Sequence, residues 1–331
     1  MSGSWSATRA RTFQDCRRRY YYRYHLTRIA RRPDAPPEAL EADRVKSLIG
    51  VEAWAGQLVH EVLSLALNWW RGGRVFGETE AVEHAFRLLS RQYRSSREYW
   101  DSPPEAFPSR PVLLDLHYFE EGEGLNREQA GALKEKVAIA LREFFRSELA
   151  ARIRHVGPPG WLPIDRNAAF RLGDLPLREL GLADLPPRDL TLAVRPDFAF
   201  REGHYLHIVD WKTGRADADR EQVQLTCYML YAHTKWSQPL PGILPQIVYL
   251  FPEYYAVPAE LDLLSLRRVL REIHTSDAEI AAAEETSPGE LLPPVERFPC
   301  TAETYRCRWC SFRGLCDGAP RREVPGPVEE T

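Results

Sequence analysis

The sequence predicts an α/β fold carrying a large helical insertion, and three observations predict it. Long segments of the first half place apolar residues at helical spacing. Near residue 190 the pattern changes to short β-rich runs that alternate with helices. Cysteines gather towards the end of the chain, with one outlier near its start.

The chain has 331 residues, 44% of them hydrophobic and 27% charged, with a formal charge of -3. This describes a soluble globular protein, long enough for one large domain or two ordinary ones. The near-neutral total does not announce a nucleic-acid binder, but the distribution is uneven. Between Arg9 and Arg32 stand nine arginines against one acid, Asp15, with Tyr20, Tyr21, Tyr22 and Tyr24 interleaved. Arginine neutralises phosphates and tyrosine offers a face to bases, so the segment reads as a nucleic-acid track. It reads equally as a basic helix whose tyrosines pack inward.

No apolar run approaches the ~20 residues that span a bilayer. Met1 to Ala10 lacks the hydrophobic core of a secretory signal, so a cytoplasmic protein without disulfides is expected. Six cysteines (Cys16, Cys227, Cys300, Cys307, Cys310, Cys316) then point to metal ligation.

In chain order, the proline-rich stretches at 32–39 and 101–111 read as loops. Ala53 to Trp70 reads as a helix with Trp54, Leu58, Val62, Leu65 and Trp69 on one stripe. Glu78 to Tyr99 and Arg127 to Arg154 read as two more helices, and Gly173 to Asp189 as irregular. Leu190 to Phe200 and Tyr205 to Trp211 read as strands joined by a turn at Arg201-Glu202-Gly203-His204. A helix at Asp219 to His233, a buried strand at Gln246 to Phe251 and a long helix at Ala259 to Glu285 follow. The expected divisions are 1–32 with 290–320 as one subdomain, 33–160 as a helical region, 161–289 as the α/β core, and 321–331 as a flexible tail.

The sharpest chemistry lies in Val194-Arg195-Pro196-Asp197 and Val209-Asp210-Trp211-Lys212. Residues two apart in a strand share a face, so Asp210 and Lys212 point the same way. With a turn at Glu202-Gly203, Asp197 opposes Ile208 and lies diagonal to Asp210, roughly 7–8 Å away between backbones. Two carboxylates so placed can share one hard cation. A slip of one residue would separate their faces. A divalent ion with a nearby ammonium suits phosphodiester hydrolysis. Asp-x-Lys alone is common on exposed hairpins, but here it ends an apolar run, Leu206-His207-Ile208-Val209, where α/β proteins place active sites.

With its flanks, this hairpin resembles the PD-(D/E)xK nuclease superfamily, and within it the RecB-like group. The motifs stand in that group's order. They are Gly56-Gln57-Leu58-Val59-His60, then Asp197, then Asp210-Trp211-Lys212-Thr213-Gly214, then Gln224-Leu225-Thr226-Cys227-Tyr228. The resemblance implies a restriction-endonuclease-like core, a mixed central sheet flanked by helices. It implies His60, Asp197, Asp210 and the Trp211 carbonyl as ligands to Mg2+ or Mn2+, with Lys212 catalytic. Gln224 and Tyr228 would contact DNA or order the site.

Cys307, Cys310 and Cys316 follow a Cys-x2-Cys-x5-Cys spacing. In RecB-like relatives such as AddB, and in the four-cysteine CRISPR-associated exonucleases, such a trio joins a distant N-terminal cysteine around a four-iron four-sulfur (4Fe–4S) cluster. By that resemblance Cys16 is the fourth ligand, stapling the N- and C-terminal segments together. The following Arg17, Arg18, Arg19 and Tyr21 would be DNA contacts. The rival is a local zinc site of Cys300, Cys307, Cys310 and Cys316. Cys227 reads as a small buried hydrophobe.

The function expected is a metal-dependent DNA nuclease, an exonuclease on single-stranded or frayed ends, in repair, recombination or CRISPR adaptation. The competing readings are a non-catalytic DNA-binding subunit of a helicase–nuclease or integrase complex, and a zinc-stapled interaction protein. No phosphate-loop motif is present, so a helicase or integrase would be a separate partner.

Overall fold

Side-chain caps at Cys16, Asn126, Ser147 and Asp217, and Pro37 at a first helical position, set several helix starts. The computed structural model describes residues 4–102, 109–119, 124–162, 168–178, 184, 189–259 and 262–320. The tail expected at 321–331 lies outside the described residues, as do parts of the loops at 101–111 and 173–189.

The elements begin with α1 (Ala7–Asp15), α2 (Arg17–Tyr21), a π-helical turn (Tyr22–Leu26), α3 (Thr27–Ile29), α4 (Pro37–Val45) and β1 (Leu48–Ile49). Then come α5 (Val51–Arg71), α6 (Glu78–Asp101), β2 (Leu113–Leu114), α7 (Asp115–Phe119), α8 (Arg127–Arg146) and α9 (Glu148–Val156). The second half holds β3 (Ala169–Arg171), β4 (Thr191–Ala193), β5 (Phe198–Glu202), β6 (Tyr205–Lys212), α10 (Ala218–Trp236), β7 (Ile243–Tyr249), β8 (Tyr255–Pro258) and α11 (Leu263–Ala283).

Two differences from the expected elements have local causes. The helix expected over Arg127 to Arg154 breaks at Ser147, whose backbone is extended (ψ 150°) and whose Oγ accepts from Ala150 N at 3.1 Å, capping α9. The strand expected over Leu190 to Phe200 divides into β4 and β5. Pro196 lies in the gap, where it cannot donate to a ladder.

The chain forms two compact units, Met1–Ala7 with Ile49–Asp277, and Thr8–Leu48 with Ala278–Thr331. In the larger, a four-stranded mixed sheet runs β5-β6-β7-β8, with β6 and β7 parallel and the outer pairs antiparallel. The parallel pair needs a crossover, which α10 supplies. Helices α5, α6 and α8 pack on one another beside it. Strand β6 is buried from Leu206 to Trp211, as befits a strand covered on both faces. Val209 and Trp211 join Trp54, Leu58 and Phe144 in one core. The Trp211 and Phe144 rings meet edge to face at 5.2 Å, worth about 1 kcal/mol beyond burial.

The smaller unit has an aromatic core. The Tyr20 and Phe298 rings stack at 6.1 Å, Phe13 meets Tyr20 edge-on at 5.1 Å, and Tyr22 lies 5.6 Å from Phe312. Tyr20, Tyr21 and Tyr22 therefore pack inward, while Tyr24 is half-buried.

Candidate active site and cysteine cavity

Strand register builds the first site. The observed turn is Gly203-His204, with Gly203 at φ 59°, a conformation glycine adopts without strain. The register pairs Phe198 with Val209 and Glu202 with Tyr205. This is two residues from the expected register, so every face is preserved. Continued one residue outward, it sets Asp197 across from Asp210 rather than diagonal to it.

Each carboxylate is held by named donors. Asp197 Oδ2 accepts from Trp211 N at 2.8 Å, and its Oδ1 lies 3.0 Å from His60 Nδ1. Asp210 Oδ1 accepts from Tyr228 OH at 2.9 Å and Gln224 Nε2 at 2.8 Å. Asp210 Oδ2 faces Lys212 Nζ at 2.5 Å and has no well-aligned hydrogen bond. Gln224 and Tyr228 stand one turn apart on α10, so both reach the same oxygen. The Arg195 carbonyl lies equally close to the Tyr228 hydroxyl, at 2.9 Å, so its one proton is shared between that carbonyl and Asp210 Oδ1. Sequence reasoning gave Gln224 and Tyr228 to DNA or to ordering the site. In this structure they order it: Tyr228 is buried, and both bind Asp210.

Helix α5 reaches the strand because Gly56 has no side chain. A Cβ there would lie 3.1 Å from Thr213 Oγ1, so the glycine of the Gly-x-x-x-His motif serves close packing.

Asp210 is 3% exposed. Burial, and next the charge of Asp197, raise its pKa, against Lys212 and Tyr228. Burial alone would lower the His60 pKa, but Asp197 and then Asp210 bring a net rise. Tyr228 is pushed well up by burial and the two carboxylates, so it remains a donor. Two carboxylates crowded beside one imidazole, one of them buried, form a set of hard oxygen and nitrogen donors that a divalent cation would relieve. The residues fit Mg2+ or Mn2+. Glu221, buried in the first turn of α10, accepts from Tyr249 OH and from Asp217 N and so ties that turn to β7.

The second site lies in the smaller unit. Cys16, Cys300, Cys307, Cys310 and Cys316 all line one cavity of about 220 Å³. The N-terminal residues are tied there. Arg18 N donates to Pro299 O, Tyr22 OH to Leu315 O, and Arg306 pairs with Asp15 at 2.9 Å. Cys16 caps α2, its Sγ accepting from Arg19 N at 3.5 Å. Arg19 also lines the cavity, and its buried Nε has no hydrogen-bond partner among the described residues. A guanidinium with a free donor in a thiol-lined cavity fits an anionic metal–thiolate group.

The expected DNA contacts behave differently. Tyr21 is buried, with its ring 5.3 Å from Phe298, so it has no free face for a base; that expectation is corrected. Arg18 is engaged with Phe298 O and Asp317, and Arg17 lies over the Phe13 ring. The exposed aromatics of this unit are instead Tyr305 and Trp309, at 66% and 67%, with Arg306 and Arg308 over their respective rings. Cys227 is buried, as expected, and its thiol is pushed up to about 12 by burial.

Among the described residues no helix is long and apolar enough to cross a membrane. A family model of the PD-(D/E)XK nuclease superfamily matches residues 4–317. No curated protein matches the chain. Among solved structures, the crystal structure of SSO0001 is similar at 14% identity, covering 48% of this chain and 62% of that one, with a TM-score of 0.24. The chain thus spans less than two thirds of that protein, and a likeness at this level carries no argument.

Proposed function

This chain belongs to the PD-(D/E)XK nuclease superfamily, and from that premise we propose that it is a DNA exonuclease dependent on Mg2+ or Mn2+. Members of the superfamily are generally metal-dependent nucleases, with DNA as the implied substrate. The observation that carries the reading is the convergence of His60, Asp197, Asp210 and Lys212. His60, Asp197, Asp210 and the Trp211 carbonyl would hold the ion. When bound, it polarises the scissile phosphate and acidifies a water.

The protein's own part is positioning. Gln224 and Tyr228 fix one oxygen of Asp210 and leave the other to Lys212. The Lys212 ammonium orients the nucleophile and offsets negative charge developing on the phosphate. In the smaller unit, Cys16, Cys307, Cys310 and Cys316 would hold a 4Fe–4S cluster, a reading supported by the thiol-lined cavity and the free Nε donor of Arg19. Tyr305 and Trp309, each with an arginine over one side of its ring, would offer the other side to single-stranded bases.

The test uses end-labelled single- and double-stranded DNA with and without Mn2+. Wild-type protein should cut from the ends only with metal, and Lys212→Ala should be slower by about a hundredfold. Equal inactivity of both proteins with Mg2+ and with Mn2+ would end the enzyme reading in favour of a DNA-binding subunit.

A further inference from the structure

The cavity holds one thiol more than a four-iron cluster needs. Its five cysteines are not equally spaced, because Cys300 Sγ lies 3.6 Å from Cys316 Sγ. At that separation the two sulfurs are in direct contact, so either can reach a ligand position that the other holds. The contact is built in: a Cβ on Gly318 would lie 2.4 Å from Cys300 Sγ, so only glycine at 318 leaves that sulfur its place beside Cys316.

We propose that Cys300 and Cys316 are interchangeable ligands to a single iron of the cluster, while Cys16, Cys307 and Cys310 hold the other three. The exchange balances simply. Cys300, its thiol proton passing to Cys316, would take the ligand position that Cys316 gives up. No electron moves. The inference rests on the cluster reading above and deepens it, since a fixed spare thiol and an exchanging one differ in what can be labelled.

The experiment is iodoacetamide labelling of the anaerobically purified full-length holoprotein, read by peptide mass spectrometry, with iron and sulfide assayed alongside. One cavity cysteine per chain should be labelled, the label divided between Cys300 and Cys316, with Cys16, Cys307 and Cys310 protected. Cys300→Ala and Cys316→Ala should each retain iron, and the double variant should lose it. Gly318→Ala, which displaces Cys300 without removing it, should confine the label to Cys300. Label confined to Cys300 in the wild type, or a Cys300–Cys316 disulfide in its place, overturns the proposal and leaves the cluster standing. So does loss of iron in either single variant, and the wild-type labelling decides the question even where a variant fails to fold. Wild-type protein with neither iron nor sulfide overturns the cluster reading itself, and the exchange with it.

Discussion

Asp210 is held ionisable in a place that penalises its charge. It is buried, it stands across from a second carboxylate, and both effects raise its pKa. In the metal-free protein this repulsion works against folding. Asp210→Asn should therefore leave the apo protein as stable or more stable, by about 1 kcal/mol, while abolishing cleavage. Thermal unfolding in chelator beside the DNA assay checks both halves; a large loss of stability would show that Lys212 pairing outweighs the repulsion. Tyr228→Phe removes one of two donors to Asp210 Oδ1 without changing shape. Metal affinity, measured by calorimetry, should weaken about tenfold. Glu284 offers a pH test in the smaller unit. Burial would raise its pKa, but hydrogen bonds from His25 and Tyr20 and the Arg9 charge bring it down from 4.5 to about 2. A depressed carboxylate stabilises above its unfolded pKa and loses that contribution as pH falls towards the folded one. The difference in stability between wild type and Glu284→Gln should thus be about 3 kcal/mol above pH ~5 and fade between about pH 4.5 and 2.

At the level of elements, the site depends on how closely α5 approaches β6. Gly56 permits it, with 3.1 Å between a notional Cβ and Thr213 Oγ1. Gly56→Ala forces a shift of a few tenths of an ångström, whereas Gly56→Val forces the helix away and His60 with it. Valine should lower activity at least tenfold more than alanine, with circular dichroism showing α5 retained in both. The motif was legible as a spacing in the sequence, but its reason was not, since Thr213 lies far along the chain. Register had the same history. The alternation of β6 made Asp210 and Lys212 co-facial from sequence alone. Whether Asp197 stood opposite or diagonal depended on which two residues turned, and Gly203-His204 rather than Glu202-Gly203 did so because the turn begins where φ must be positive.

For the whole molecule, segments from both ends of the chain form one unit with its own aromatic core and a five-cysteine cavity. A metal group there would close a loop of nearly the whole chain, which constrains the unfolded state. Cys307→Ala should therefore lower the iron content and make residues 8–48 and 278–320 the first to be cut in limited proteolysis. Unchanged cleavage kinetics would detach the cluster from stability. Tyr305→Ala and Trp309→Ala, both on exposed side chains, should each weaken binding of single-stranded oligonucleotides by about 1–3 kcal/mol, measured by fluorescence anisotropy.

The sequence by itself determined the alternation of elements, the co-facial Asp210 and Lys212, the order of the four nuclease motifs and the cysteine trio. These are short-range properties, set by periodicity and spacing along the chain. Only the tertiary structure decided that Asp197 stands across from Asp210, that Gln224 and Tyr228 hold Asp210, that Tyr21 is core, and that Cys300 shares a cavity with Cys16. Each of those is a contact between residues distant in sequence, and which of the chemically permitted contacts forms is chosen by packing.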